Sequence, residues 1–211
     1  MLSKRGALCD SEDVPRHPDP SRKPQLLAEI IDYLLDKSLA SVSFRTIAQA
    51  LGFSTYTLVY HFGTREQLLH EIVAAVSTRT DVIEAELLQA DDTLDAFFGT
   101  FEDTWEWTIQ PRNRQLQRLE FEAGLIEALE PDKHVLSRTL FATWQQIGRR
   151  ALTSLGVEEI DAVLEMRLML DTFCGLQYNF VLNGDVEPAT KAFHEAMRRH
   201  RERIEALLPV H

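Results

Sequence analysis

The sequence predicts an all-α protein in which a three-helix N-terminal domain is followed by a larger helical domain. Apolar residues recur at helical spacing along most of the chain, and no segment alternates convincingly in the period-two pattern of a half-buried strand. Isolated glycines and prolines separate these periodic segments, as expected for helix ends. With 211 residues, 45% of them hydrophobic, the chain can bury a core without disulfide staples.

The N-terminal residues divide into a tail and a first helix. Residues 1–20 are rich in charge and proline, which predicts a disordered tail, although their basic residues could also act as an arm that reaches a neighbouring DNA groove. Pro24 suits a first helical position. The helix that follows carries its apolar residues at Leu26, Leu27, Ile30, Ile31, Leu34 and Leu35.

Residues 43–70 form the most informative segment, because they predict two short helices joined by a turn at Gly52-Phe53-Ser54. Ser43 and Ser54 are suited to cap the two helices, since a serine hydroxyl accepts a backbone N–H that would otherwise lack a partner. Gly52 can end the first helix in the left-handed conformation. The apolar stripe of the first helix consists of Phe44, Ile47, Ala48 and Leu51.

The second short helix has an unusual outward face. Leu58 and Phe62 lie one turn apart and are expected to point inward. A helix that contacts bases and thymine methyl groups could use the side chains of the opposite face, whereas an ordinary helical hairpin would pack them in a core. That opposite face consists of Thr55, Tyr56, Val59 and Tyr60.

Further helices follow after Gly63. Thr64 and Gln67 form the spacing of a capping box, and the helix that they open is expected to run to about Leu88. Asp91-Asp92-Thr93 should cap the next helix, which runs to Ile109 and is broken by Pro111. The remaining helices are expected at 113–129, from Pro131 to about Leu155, at 158–182, and from Pro188 to about Leu208.

An ungapped run of residues resembles the DNA-binding domain of the TetR family of transcriptional regulators. Its elements are Ser-Phe-Arg-x-Ile-Ala-x-x-Leu-Gly at 43–52, Phe-Ser at 53–54, Thr-Leu at 57–58, His61-Phe62, and Gly-Thr-Arg-Glu-x-Leu-Leu at 63–69. The resemblance covers about residues 24–76. It departs from the family pattern at Val59, where an aromatic residue is usual, at Tyr56, where a small residue or proline is common, and at Arg65, which replaces a lysine.

The resemblance implies a fold and a set of roles. It implies a helix-turn-helix DNA-binding domain at 21–70 and a helical effector-binding and dimerisation domain at 71–211. Arg45 would reach a base edge or a phosphate, while Ser43 and Thr64 could also be helix caps only. Tyr56 could instead cover a hydrophobic edge, and His61 could be a packed histidine. The implied DNA-binding residues are Ser43, Arg45, Thr55, Tyr56, Tyr60, His61, Thr64 and Arg65.

The same resemblance implies partners for the larger domain. Its last two helices would pair with those of a second copy in a homodimer, which would read a palindromic operator in double-stranded DNA. The apolar stripe of these helices, which includes Met166, Leu170 and Phe173, is by itself equally consistent with the core of a monomer. A small-molecule effector would bind between its helices and release the repressor from DNA. Aromatic residues at helical spacing are also typical of plain core. The candidate ligand-binding residues are Phe101, Trp105, Trp144 and Tyr178, with Arg118, Glu122, Gln145 and Gln177 as polar lining.

Charge is distributed unevenly along the chain, whose formal net charge is −11. Residues 1–80 carry nine Lys/Arg and nine Asp/Glu and are neutral, whereas residues 81–211 carry 13 and 24. An acidic body repels DNA everywhere except at the proposed DNA-binding domain, residues 21–70, which we call the reading head. This charge distribution therefore favours an oriented contact with DNA.

Several other functional classes lack a supporting pattern. Cys9 and Cys174 indicate no disulfide framework, which fits a reducing cytoplasm. No apolar run approaches the roughly 20 residues that a membrane span needs. No glycine-rich phosphate loop occurs, and His70-Glu71 lacks the second histidine of a zinc protease, so we expect no enzyme, no cofactor and no metal. The alternative to a DNA-binding regulator is a helical dimeric ligand-binding or interaction protein that does not bind DNA.

Overall fold

The computed structural model describes residues 21–77, 93–129 and 136–209. Within these ranges the protein is helical and contains no strand, which confirms the predicted all-α class. The predicted tail and the helix start at Pro131 lie outside the described residues. The helices are α1 Arg22–Leu34, α2 Phe44–Leu51, α3 Thr55–Phe62, α4 Arg65–Val76, α5 Leu94–Thr108, α6 Pro111–Leu129, α7 Leu136–Ser154, α8 Glu159–Asn183 and α9 Val186–Glu205.

Several helix boundaries differ from those predicted from the sequence. The first helix, α1, begins at Arg22, so Pro24 lies in its first turn rather than at its first position. The helix α4 ends at Val76 rather than near Leu88, because Ser77 leaves the helical region with φ −91° and ψ 12°. The helix α6 begins at Pro111 rather than at residue 113, since proline lacks only an N–H that the first turn does not use. The helix α9 begins at Val186, so Pro188 lies inside its first turn, where a missing N–H is also tolerated.

Helices α1 to α4 enclose the first apolar core. Lys23 of α1 contacts both α3 and α4. Its Nζ lies 2.6 Å from Glu71 Oε1 on α4 and 5.7 Å from the centre of the Phe62 ring on α3. This core therefore backs the short helices α2 and α3 with packed side chains. Its most deeply buried members are Leu26, Ile30, Leu34, Leu39, Ile47, Leu58, Leu68 and Ile72.

The second core is aromatic and lies between α5, α8 and α9. Trp105 stacks on Phe193 with ring centres 4.8 Å apart, and its Nε1 donates a hydrogen bond of 3.0 Å to Thr190 Oγ1. Phe173 and Phe180 of α8 pack against the same indole ring. Aromatic pairs in these orientations add to the stabilisation from burial alone.

Helix α6 belongs to both cores. Leu119 and Ala123 are buried against the first core, whereas Gln117 is buried towards α8 and accepts a hydrogen bond from Gln177. Arg114, at the start of the same helix, donates through Nη2 to the carbonyl of Val181 at 2.6 Å. Helix α6 therefore connects the N-terminal domain to the larger helical domain.

Two glycines position α3. Gly52 ends α2 with φ 73° and ψ 21°, the left-handed conformation that was predicted for it. Gly63 ends α3 with φ 69° and ψ −105°. A Cβ atom on Gly63 would lie 2.0 Å from Gln67 Oε1, which accepts the N–H of Thr64 in the capping box of α4. The backbone on both sides of α3 therefore requires glycine.

We expect alanine to destabilise the protein at both turns, and more at Gly63. Gly52→Ala should cost about 1 kcal/mol of unfolding free energy from left-handed strain alone. Gly63→Ala should cost about 2–3 kcal/mol, because it adds a worse backbone strain to the disturbed cap. Gly99→Ala is the matched control, since Gly99 lies inside α5 with open space around it, and should stabilise by about 0.5–1 kcal/mol. Urea denaturation measures all three, and equal effects at Gly63 and Gly99 would contradict this account.

Candidate functional site

The outward face of α3 is open to solvent. Tyr56 is 79% exposed and Tyr60 is 62% exposed, and their rings stack with centres 6.4 Å apart. Leu58 is fully buried on the opposite face, together with Phe62, which confirms the predicted orientation of the helix. Exposed tyrosines cost free energy in water, so a helix that presents two of them side by side is typical of a binding surface.

The predicted helix caps are present around this helix. Ser43 Oγ accepts the N–H of Thr46 at 3.1 Å, and Ser54 Oγ accepts the N–H of Thr57 at 2.9 Å. Thr64 and Gln67 form the predicted capping box, with Thr64 Oγ1 accepting the N–H of Gln67 at 3.2 Å. These caps hold the starts of α2, α3 and α4, where backbone N–H groups favour a phosphate.

The basic candidates of this domain lie in different surroundings. Arg45 is exposed in the first turn of α2, and His61 is half-buried with its ring edge against Tyr60 at 5.0 Å. Arg65 is tied to the protein, since its Nε donates to the carbonyl of Val42 at 2.8 Å. Arg45 is therefore free to turn towards a ligand, whereas Arg65 could offer only its remaining N–H groups.

A cavity in the larger domain has a volume of about 70 Å³, or about 720 Å³ when the open space at its mouth is included. Three of the eight ligand-binding candidates line it, namely Phe101, Trp144 and Gln177. The cavity lies between α5, α6, α7 and α8, and the end of α4 closes it. Lining residues that the sequence analysis did not select include Ser77, Trp107, Gln117 and Glu120.

Three other candidates lie away from this cavity. Trp105 is packed in the aromatic core against Phe193. Tyr178 lies in an outer groove with Phe121, their ring centres 5.5 Å apart. Gln145 lines a separate shallow groove between α7 and α8. The relative rotation of packed helices decides which of their aromatic residues face a cavity, and sequence spacing does not contain that rotation.

The last two candidates, Arg118 and Glu122, form a polar joint between the domains. Arg118 Nη2 donates to the carbonyl of Leu34 at 2.9 Å, where it satisfies an end carbonyl of α1. Glu122 Oε2 accepts the N–H of Leu39 at 2.7 Å and the hydroxyl of Ser38 at 3.2 Å. The two side chains also form an ion pair with each other on α6. We call these five residues the interdomain joint.

Glu120 is the acidic residue of the cavity. Burial raises the pKa of its carboxyl group to about 7, against the smaller opposing effect of a 3.2 Å hydrogen bond from Gln117 Nε2. Burial and, to a smaller extent, the charge of Glu120 raise the pKa of the neighbouring Cys174 thiol to about 12. Cys174 therefore stays protonated and acts as a small hydrophobic residue.

Metal-ion sites and membrane-spanning helices are both absent from the described ranges. No group of three or more His, Cys, Asp or Glu side chains in them is arranged to hold a metal ion. Over the same ranges, no helix combines the length and the apolar character that crossing a membrane requires.

Comparisons with known proteins agree with this architecture. Residues 26–72 match the family model described as bacterial regulatory proteins, tetR family. No curated protein sequence matches the chain.

Solved structures show the same fold over most of the chain. A transcriptional regulator from Rhodococcus sp. Rha1 matches with a TM-score of 0.69 and 20% identity, over 90% of this chain and 99% of that one. NalD from Pseudomonas aeruginosa matches with a TM-score of 0.63 and 17% identity, over 85% and 95%. The SmeT–triclosan complex matches with a TM-score of 0.69 and 14% identity, over 85% and 90%.

The interdomain joint should contribute measurably to stability. Glu122→Ala leaves the N–H of Leu39 without its acceptor and removes the ion-pair partner of Arg118, so we expect a loss of about 1–3 kcal/mol in unfolding free energy. Glu106→Ala, which removes an exposed carboxylate from α5, should change it by less than about 0.5 kcal/mol. Urea denaturation compares the two, and equal losses would show that the joint is not a stabilising contact.

Proposed function

We propose that this chain, whose residues 26–72 match the family model of the tetR bacterial regulatory proteins, is a sequence-specific DNA-binding transcriptional regulator. In this proposal it is a repressor that a small-molecule effector releases from a palindromic operator. The observation that carries the proposal is the open face of α3, where Tyr56 and Tyr60 stand exposed on a helix whose other face is fully buried.

In this proposal α3 enters the major groove of DNA. Tyr56, Tyr60 and Thr55 would contact base edges and thymine methyl groups, which suits aromatic and hydroxyl side chains. Arg45 would reach a base edge or a phosphate with its planar guanidinium group. The remaining residues would contact phosphates near the capped helix starts. They are Ser43, His61, Thr64 and Arg65.

The charge distribution supports an oriented contact with DNA. The net charge of −11 arises in residues 81–211, whereas residues 1–80 are neutral. A duplex would therefore be repelled by the larger domain and tolerated only at the reading head. Because few cations are available there, we expect few phosphate contacts and a shallow dependence of affinity on salt.

An exposed apolar stripe on α8 supports a homodimer. The stripe that the sequence shows most clearly, around Met166, Leu170 and Phe173, is buried in the core of the monomer. A second set of apolar residues faces solvent along the same helix, and a two-fold related copy would cover both stripes at once. The exposed set consists of Ile160, Val163, Leu164, Leu168, Tyr178 and Leu182.

Helix α6 supports a coupling between effector and DNA. Gln117 and Glu120 face the cavity, while Arg118 and Glu122 of the same helix hold the N-terminal domain. An effector that shifts or rotates α6 would move the interdomain joint and change the distance between the two reading heads of a dimer. A coupling of about 1–3 kcal/mol is typical of such switches, and it acts equally in both directions.

Two structural relatives support repression and effector binding. NalD is the secondary repressor of the MexAB-OprM multidrug efflux pump, and SmeT forms a complex with triclosan. From these relatives we extend only the general scheme of a repressor whose helical domain binds a small molecule. We also propose that this protein is located in the cytoplasm.

DNA binding should depend on the open face of α3. We expect the wild-type protein to enrich a palindromic sequence from a random duplex library, as read by sequencing and footprinting. Each of Arg45→Ala and Tyr60→Ala should lose about 1–3 kcal/mol of specific binding, and the double variant should not bind specifically while keeping its helical circular dichroism.

Arg150→Ala is the matched control for this experiment, because Arg150 is an exposed arginine on α7, away from the reading head. It should bind the enriched sequence as the wild type does. Unchanged binding by the double variant would refute the groove assignment. If the wild-type protein enriches no sequence, the alternative of a ligand-binding protein without DNA binding is favoured.

Dimerisation should depend on the exposed stripe of α8. Leu164→Lys places two like charges across the proposed interface and removes about 1.5–3 kcal/mol of apolar burial per copy, so association should weaken at least about 100-fold. Leu129→Lys, at an exposed leucine outside the stripe, should leave the dimer intact. Sedimentation velocity measures both, and a Leu164→Lys variant that stays dimeric would exclude this face.

A further inference from the structure

We propose that the cavity selects aromatic cations, molecules with a flat apolar group and a basic nitrogen, and that the Glu120 carboxylate is their counter-ion. The inference deepens the proposed function, since it names the chemical class of the effector, and it rests on that proposal only for the consequence of binding. Binding itself is a property of the cavity.

The charge of the cavity wall favours a cationic ligand. Among the described residues that line the cavity, Glu120 is the one acidic residue and none is basic. Its carboxylate accepts a hydrogen bond from Gln117 and forms no ion pair within the described ranges. A charge removed from water is costly unless it is paired, so a cation that enters the cavity gains the interaction that the protein does not supply.

A chain of amide groups fixes the position of this carboxylate. Gln177 Nε2 donates to Thr108 Oγ1 at 3.0 Å and to Gln117 Oε1 at 3.4 Å. Gln117 Nε2 in turn donates to Glu120 Oε2 at 3.2 Å. Because the amide oxygen of Gln117 is already engaged, Glu120 is the strong acceptor left for a ligand N–H. The carboxylate is therefore held in place before any ligand arrives, which lowers the ordering cost of binding.

The rest of the wall suits an aromatic group. Phe101, Trp107 and Trp144 line the cavity, and the faces of such rings attract cations as well as apolar surfaces. Four buried side-chain polar atoms in the described ranges have no hydrogen-bond partner, and two of them, Ser77 Oγ and Trp144 Nε1, belong to residues that line this cavity. Buried polar groups without partners are rare in folded proteins, and their presence on this wall indicates that a ligand completes the site.

Charge separates this ligand class from others. The cavity volume is about 70 Å³, or about 720 Å³ when the open space at its mouth is included, so we choose flat two-ring compounds as the largest probes. An anion would meet the Glu120 carboxylate without a compensating cation on the described wall. A neutral aromatic molecule would bind through its apolar surface but would leave the carboxylate unpaired.

Three naphthyl compounds of matched size test the charge preference directly. They are naphthylmethylamine, a cation at about pH 8, naphthylmethanol, which is neutral, and naphthoate, an anion. Binding to the purified full chain is measured by calorimetry and by tryptophan fluorescence without DNA. We expect the amine to bind at least about 10-fold more tightly than the alcohol, and the carboxylate to bind most weakly. The proposal fails if the amine does not bind more tightly than the alcohol, including the case in which no compound binds.

Glu120→Gln tests the role of the carboxylate at nearly constant shape. We expect the advantage of the amine over the alcohol to disappear in this variant, while the affinity for the alcohol stays within about threefold. Glu106→Gln, which alters an exposed carboxylate on α5, should keep the preference of the wild type. A preference that survives in Glu120→Gln would remove Glu120 as the counter-ion, and the wild-type comparison stands even if this variant folds poorly.

The same compounds separate this inference from the proposed function. If the amine binds through Glu120 but leaves the affinity for the enriched operator unchanged, the ligand class is correct and the release mechanism is wrong. If the amine has no advantage over the alcohol although the protein binds DNA specifically, the regulator stands and the ligand class is wrong.

Discussion

The interaction on which the arrangement of this protein depends is the interdomain joint on α6. Glu122 accepts the backbone N–H of Leu39, and Arg118 donates to the carbonyl of Leu34 at the end of α1, so the two side chains replace solvent at a place where apolar packing cannot satisfy the backbone. Leu119 and Ala123 of the same helix add apolar contacts to the first core. Helix α6 is thereby a shared wall of both domains rather than a linker.

A helix presents different faces to different neighbours, and α6 uses this property. Residues three or four apart share a face, so Gln117 and Glu120 turn towards the cavity while Arg118 and Glu122 turn towards the N-terminal domain. A helix is stiff, and a displacement on one face cannot be absorbed without moving the other. Glu120, which would receive a ligand, and Glu122, which binds the N-terminal domain, therefore lie on the same stiff helix.

The exposed face of α3 illustrates how local sequence can determine a surface. Caps at Ser43, Ser54 and Thr64 and the glycines at the ends of α2 and α3 are local features, and each lies where the sequence predicts it. Because these features set the length and direction of α3, the burial of Leu58 and the exposure of Tyr60 follow from helical periodicity alone. The DNA-contacting roles of the residues on this face stay a prediction.

The sequence by itself determined the all-α class, the caps and turns of the first domain and the two faces of α3, because these depend on interactions between residues a few positions apart. Only the tertiary structure decided which residues line the cavity. It placed Phe101, Trp144 and Gln177 there, packed Trp105 in the core, and moved Arg118 and Glu122 to the joint. It also revealed Glu120 as a partly buried acid in the cavity wall, which the sequence analysis did not select. The reason is physical: the rotation of one helix against another is set by the packing of distant side chains, and periodicity within a helix carries no record of it.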